Sequence, residues 1–131
     1  MSVTEKCGGL LLRIDGALRF VSSDIALRVA PPPRVTPVPG APPELLGIAL
    51  HEGAIVPVVA VGSEIGKMIV CQHAGELLGV VGAEILASGL FDVAIGRGGM
   101  VEHEGENVEP LDLAAIYGRV QSGARPGRWG S

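Results

Sequence analysis

Cys7, His51, Cys71 and His73 carry soft or borderline ligand atoms. Thiolate and imidazole are the common protein ligands of Zn²⁺. Cys71 and His73 stand two apart, a spacing that puts both side chains on one face of a strand. No C-x-x-C pair accompanies them, and Cys7 and His51 are remote in sequence. The set therefore reads as isolated histidines and reduced, partly buried thiols, and no metal is expected. A second group is Glu102, Glu104, Glu106 and Glu109 around His103. General acid–base work would need one of these acids in a pocket that raises its pKa. They flank Glu104-Gly105, a turn signal, so an exposed acidic face is expected, able to repel wrong partners or attract a basic one. Residues 96–99, GRGG, lack the Lys-Ser/Thr of a phosphate loop, and no G-x-S-x-G elbow is present. No catalytic residue and no cofactor are expected, and the chain does not read as an enzyme.

The composition narrows the remaining classes. The chain has 131 residues, which fits one domain, and 47% of them are hydrophobic while only 3% are aromatic. The core must be built from Val, Leu, Ile and Ala. Few rings leave few platforms for stacking bases, and a formal charge of −4 does not suit a phosphate backbone. No nucleic-acid partner is expected. The start, MSVTEKCGG, lacks the basic region of a signal peptide. No apolar run reaches the ~20 residues of a membrane span. A cytoplasmic protein with reduced thiols and no membrane insertion is the expectation.

Glycine and proline punctuate short apolar runs throughout, which points to many short strands joined by tight turns. Strands are expected at 9–14, 17–22, 24–30, 45–50, 54–61, 67–72 and 77–81. Turns fall at Asp15-Gly16, His51-Glu52-Gly53 and Ala74-Gly75-Glu76. Residues 83–95 read as strand, a break at Ser88-Gly89, then strand; 99–103 and 106–109 flank Glu104-Gly105. Residues 31–43, PPPRVTPVPGAPP, form an extended connector, since proline lacks the N–H donor. Pro57 marks an edge or a bulge. Leu111, Leu113, Ala114, Ile116 and Tyr117 have helical spacing, predicting a helix over 111–120. The expected core is Leu12, Ile14, Phe20, Ile25, Leu27, Ile48, Val56, Val58, Ile69, Val80, Ile85 and Leu113. The basic, Gly-rich tail 121–131 is expected to be flexible, and no internal sequence repeat is visible.

These pieces, in this order, resemble the CheW-like chemotaxis adaptor family. The resemblance is carried by Val35-Thr36-Pro37-Val38-Pro39-Gly40-Ala41-Pro42, then Leu46-Gly47-Ile48, then Gly53-x-Ile55-Val56-Pro57-Val58. Leu78-Gly79-Val80-Val81 and Gly105 through Leu111-Asp112-Leu113 continue it, so that it spans a single domain over 9–119, with 1–8 as an N-terminal segment. It implies an all-β fold of two SH3-like five-stranded barrel subdomains with a short C-terminal helix. It also implies a scaffold that couples a CheA-like histidine kinase to the cytoplasmic hairpin of a chemoreceptor. One subdomain would contact the kinase's regulatory domain, and the groove between subdomains would take the receptor helix.

The departures are specific. The family's "N-L-R" falls on Leu50, His51 and Glu52, so an acid stands where the family has arginine. The family's strand glutamate, counted back from Thr36, falls on Arg28. The acid and the base have exchanged positions. The resemblance places the partner-facing surface at Arg28, Val38, Leu50, His51 and Glu52, with the exchanged pair on exposed, adjacent strands beside the groove. Two other readings follow from the same residues. One is a divergent CheW-like domain with a co-adapted partner, or a non-coupling array component. The other is a small-ligand sensor barrel, which would require an empty lined cavity in place of a filled core.

Overall fold

Four of the tight turns share one device. Asp15-Gly16, Glu52-Gly53, Ala74-Gly75 and Glu104-Gly105 each place two consecutive residues at positive φ, from +47° and +90° in the first to +51° and +80° in the last. That pair is the signature of the two-residue hairpin whose twist matches its flanking strands, and glycine at its second position removes most of the steric cost. The computed structural model describes residues 4–63, 66–94 and 100–123. The GRGG glycines at 96–99 and the tail from 124 lie outside the described residues, as does part of the 61–66 segment.

The strands are β1 (Thr4–Ile14), β2 (Ala17–Ser22), β3 (Ala26–Ala30), β4 (Leu45–His51), β5 (Ala54–Ala60), β6 (Met68–His73), β7 (Glu76–Val81), β8 (Glu84–Ala94), β9 (Val101–His103) and β10 (Glu106–Pro110), followed by α1 (Leu113–Gly123). They form two five-stranded units. The first is a closed barrel in the order β1-β2-β10-β9-β8, and the second is a sheet in the order β3-β6-β7-β5-β4. Both units use one connection pattern. A hairpin (β1–β2 or β4–β5) steps in parallel to a second hairpin (β10–β9 or β7–β6), which pairs with a lone strand (β8 or β3). The all-β fold of two small subdomains expected from the sequence is therefore present, with an architectural repeat that the residues do not spell out.

The units differ at one seam. In the barrel, lone strand β8 returns to β1 through a ladder from Thr4–Ala94 to Arg13–Glu84. In the second sheet no such ladder joins β3 to β4. The Pro-rich connector crosses there, and a single bridge, Thr36–Ile48, holds it with two hydrogen bonds of 2.8 and 2.9 Å. Gly47 makes this crossing possible: a Cβ there would lie 2.1 Å from the Thr36 carbonyl oxygen, and φ is +150°. The strand pairing also explains Pro57, which lies in an interior strand and not at an edge. Its partner Ile48 spends both backbone groups on Thr36, so Pro57 sits in a non-hydrogen-bonded pair, one residue before the β5–β7 ladder begins at Val58.

Side chains of several strands are buried on both faces, as near-continuous apolar runs require. Leu11, Phe20, Val101 and Val108 fill the barrel interior. Ala49, Val58, Met68 and Val70 fill the concave side of the second sheet. The next residues along the same strands turn the other way: Leu12 and Val21 from the barrel meet Val59, Ile69, Leu78 and Val80 from the sheet. Leu113, Ile116 and Tyr117 of α1 pack into this shared seam. Tyr117 reaches across it to donate its hydroxyl to the Glu76 carbonyl at 3.0 Å.

Several expectations need correction. Leu27 is not core: it is 48% exposed. Ile14, Ile25, Ile48 and Ile85 are only partly buried. The Ser88-Gly89 break is absent, and β8 runs unbroken through Gly89, whose φ of +149° takes up the local distortion. β1 begins at Thr4 because β8 continues to pair with it. The helix starts at Leu113, since the Leu111 N–H still donates to the Phe20 carbonyl at 2.8 Å, and Asp112 then caps the helix by accepting from the Ala115 N–H at 2.9 Å.

Candidate protein-binding surface

Among the described residues, large apolar side chains face solvent on two surfaces. The first is a groove of about 490 Å³ between the subdomains, walled by Leu27, Arg28 and Val29 of β3 on one side and by Ser88, Gly89 and Leu90 of β8 on the other, over Gly8, Gly9 and Leu10. Val29 and Leu90 are 37% and 72% exposed. Leu90 is uncovered because its cross-strand partner on β1 is Gly8, which has no side chain to lay against it. The groove continues towards Lys67, Glu84 and Ile85, sharing Leu10, Val29 and Ser88 with its first part.

The second surface is the outer face of the β4–β5 hairpin. Alternation sends Ala49 and Val56 inward, which leaves Leu50 and Ile55, a directly opposed pair, 75% and 69% exposed. Leu46 adds to the exposed apolar surface of β4.

Between the two surfaces lies the exchanged charge pair. The Arg28 guanidinium on β3 donates to the Glu52 carboxylate in the β4–β5 turn, with both side chains more than half exposed. His51 Nε2 lies 3.6 Å from the other Glu52 oxygen, its ring largely covered. Four of the five residues singled out in the sequence, Arg28, Leu50, His51 and Glu52, thus come together at one corner. Val38 lies in the connector, half-buried, its carbonyl accepting from the Ala41 N–H at 3.2 Å. The pair is within reach and Arg28 borders the groove, but the two residues do not lie on adjacent strands: β3 and β4 are opposite ends of the sheet order. The interface set read from the sequence lacks Leu27, Val29, Ile55 and Leu90, and it is these that stand exposed. Nothing in an apolar run says which of its members will lack a cover.

The candidate chemistry of the sequence does not assemble. Among the described residues no three of His, Cys, Asp and Glu are grouped to hold a metal ion. Cys71 is fully buried in the seam, and burial pushes its thiol up to about 12. His73 instead stacks on Tyr117, with ring centroids 5.1 Å apart. Glu102, Glu104, Glu106 and Glu109 are all exposed, and Glu109 faces Arg19 at 3.8 Å. Among the described residues no helix is long and apolar enough to cross a membrane.

No family model matches the chain, and no curated protein sequence matches it. Solved structures do. One is the scaffolding protein TtCheW from Thermoanaerobacter tengcongensis, at 14% identity and a TM-score of 0.60, over 79% of this chain and 87% of that one. Two five-stranded β units sharing one apolar seam, with a short helix packed into it, are the CheW scaffold fold.

Proposed function

We propose that this protein is a CheW-type signalling adaptor, a cytoplasmic scaffold that binds proteins and carries out no catalysis. The observation that carries the reading is the apolar groove between the subdomains, with Leu27, Val29 and Leu90 standing exposed along its walls. A groove of this kind suits the apolar stripe of an amphipathic helix. The occupant in this reading is the hairpin tip of a chemoreceptor. The exposed β4–β5 face is offered to the regulatory domain of a CheA-like histidine kinase. Filled interiors in both units favour this over a sensor barrel, which would need an internal cavity.

The charge order at positions 28 and 52 favours a co-adapted partner over an ordinary one, because complementarity to an unchanged surface does not survive reversal of both charges. The test is a titration of the purified protein with a receptor hairpin fragment and, separately, with a kinase regulatory domain from the same cell. The parent should bind at least one of them. Leu90→Arg should abolish hairpin binding while leaving the melting temperature unchanged. Equal binding by Leu90→Arg would remove the groove from the interface, and no binding of either partner by the parent would refute the adaptor reading.

A further inference from the structure

The stretch Pro31-Pro32-Pro33-Arg34 precedes the connector residues that carry the family resemblance, and neither apolar surface uses it. Its own residues set its backbone. Proline fixes φ at about −65°, and a residue before proline is held extended. Pro31 and Pro32 are thus confined to the polyproline II region, and Pro33 completes one turn. Such a helix repeats every three residues, and the burial follows it: Pro33 is half-buried, while Pro31, Pro32 and Arg34 are exposed. Pro33 and Val35 line an apolar hollow with Leu46 and Val81. Pro31 and Arg34, one turn apart, share an outward ridge with Pro32 beside it. The segment is anchored on both sides, by buried Ala30 at the end of β3 and by the Thr36–Ile48 bridge.

We propose that Pro31-Pro32-Pro33-Arg34 is a docking segment for a second protein that presents an aromatic-lined groove with an acidic rim. Proline-rich segments of this conformation dock on aromatic side chains, and one already held in it by the fold loses little entropy on binding. Arg34 fixes the charge of the partner. Lys6, Arg13, Arg19 and Arg28 each face an acid of this chain, whereas Arg34 stands in none of the ion pairs formed among the described residues. A guanidinium one turn beyond Pro31 is placed to meet a carboxylate at the end of the groove. A second copy of this chain does not supply such a groove: aromatic residues are 3% of the sequence, Phe20 and Tyr117 are buried, and Phe91 packs edge-on against Phe20. The segment shares no residue with the groove between the subdomains, so this proposal and the adaptor reading stand or fall separately.

The experiment is a titration of the isotope-labelled full chain with purified SH3 and WW domains chosen for acidic groove rims, followed by amide chemical shifts. Saturable shifts are expected at Arg34 and Val35 and not at Gly89 or Leu90. Arg34→Glu should weaken binding about tenfold or more while leaving the melting temperature unchanged. The double variant Pro31→Ala/Pro32→Ala should weaken it by about as much, through lost contacts and lost preorganisation. Salt at about 1 M should weaken binding by the parent and have little effect on Arg34→Glu. Leu90→Arg should bind the probes as the parent does. No binding of any probe by the parent would overturn the proposal, as would binding that Arg34→Glu leaves unchanged or shifts centred on Gly89 and Leu90.

Discussion

Leu12→Ala is the substitution that most directly probes the shared seam. Leu12 is fully buried and packs against residues of both subdomains and α1. Removing three carbons forfeits about 2.4 kcal/mol of transfer free energy at roughly 0.8 kcal/mol per methylene. The cavity left between two rigid sheets adds to this, because neither sheet can relax without disturbing its own interior, and the total should be about 3–4 kcal/mol. For a chain of this size that corresponds to a fall in melting temperature of roughly 10–15 °C. Leu27→Ala is the matched control: the same side chain on the groove wall, 48% exposed, should cost about 1 kcal/mol. Urea titrations followed by circular dichroism give both values, and unchanged m-values would show that only the folded state was affected. A cost below about 1.5 kcal/mol for Leu12→Ala, or one for Leu27→Ala that matches it, would refute the assignment of seam and surface.

Three further outcomes follow from other parts of the molecule. Gly47→Ala would place a Cβ 2.1 Å from the Thr36 carbonyl oxygen; it should lose the connector bridge and destabilise by roughly 1–3 kcal/mol, with increased proteolysis between Pro31 and Glu44 as the readout. Cys71, buried with its thiol pushed up to about 12, should resist a disulfide reagent at pH 8 until the chain is denatured. Cys7, half-buried and raised mainly by desolvation, should react first and slowly. The Asp15 carboxyl is held below its ordinary value by hydrogen bonds from the Ser63 hydroxyl and then the Ser63 N–H. A depressed acid stabilises the fold above its unfolded pKa, and that contribution is lost as pH falls through the folded value. Asp15→Asn should therefore be less stable than the parent at pH 7, the difference vanishing in acid; a gap that is constant down to pH 2 would contradict this.

The parts of this structure legible in the sequence are those encoded locally. Each X-Gly pair that closes a hairpin announces both the turn and the register of its strands, because the turn geometry admits few other residues. What the sequence does not carry is the side each strand turns to its neighbour. Leu11 and Leu12 are chemically identical and adjacent, yet one fills the barrel and the other the seam. Leu27 and Leu90 have the pattern of core residues and are exposed because β3 ends a sheet and Gly8 gives Leu90 no cover. Apolar periodicity alone places the helix start at Leu111, whereas the Asp112 cap, visible only once the Ala115 N–H bond is seen, sets it at Leu113. For the candidate site, the proximity of Arg28 and Glu52 is a matter of sheet curvature over 24 residues. Resemblance pointed to it where local pattern could not.

The order of the strands has a consequence for how the chain comes off the ribosome. The barrel is discontinuous: β1 and β2 end at Ser22, and their partners β8 to β10 begin at Glu84. At about 5–20 residues per second, the first hairpin waits several seconds for its own barrel. During that interval every strand of the second sheet emerges, so the inserted unit can finish first. Its seam residues Val59, Ile69, Leu78 and Val80 then offer a surface onto which Leu12 and Val21 dock before β8 exists. The later unit would thus serve as template for the earlier one, and the subdomain containing the start of the chain would be the last to close.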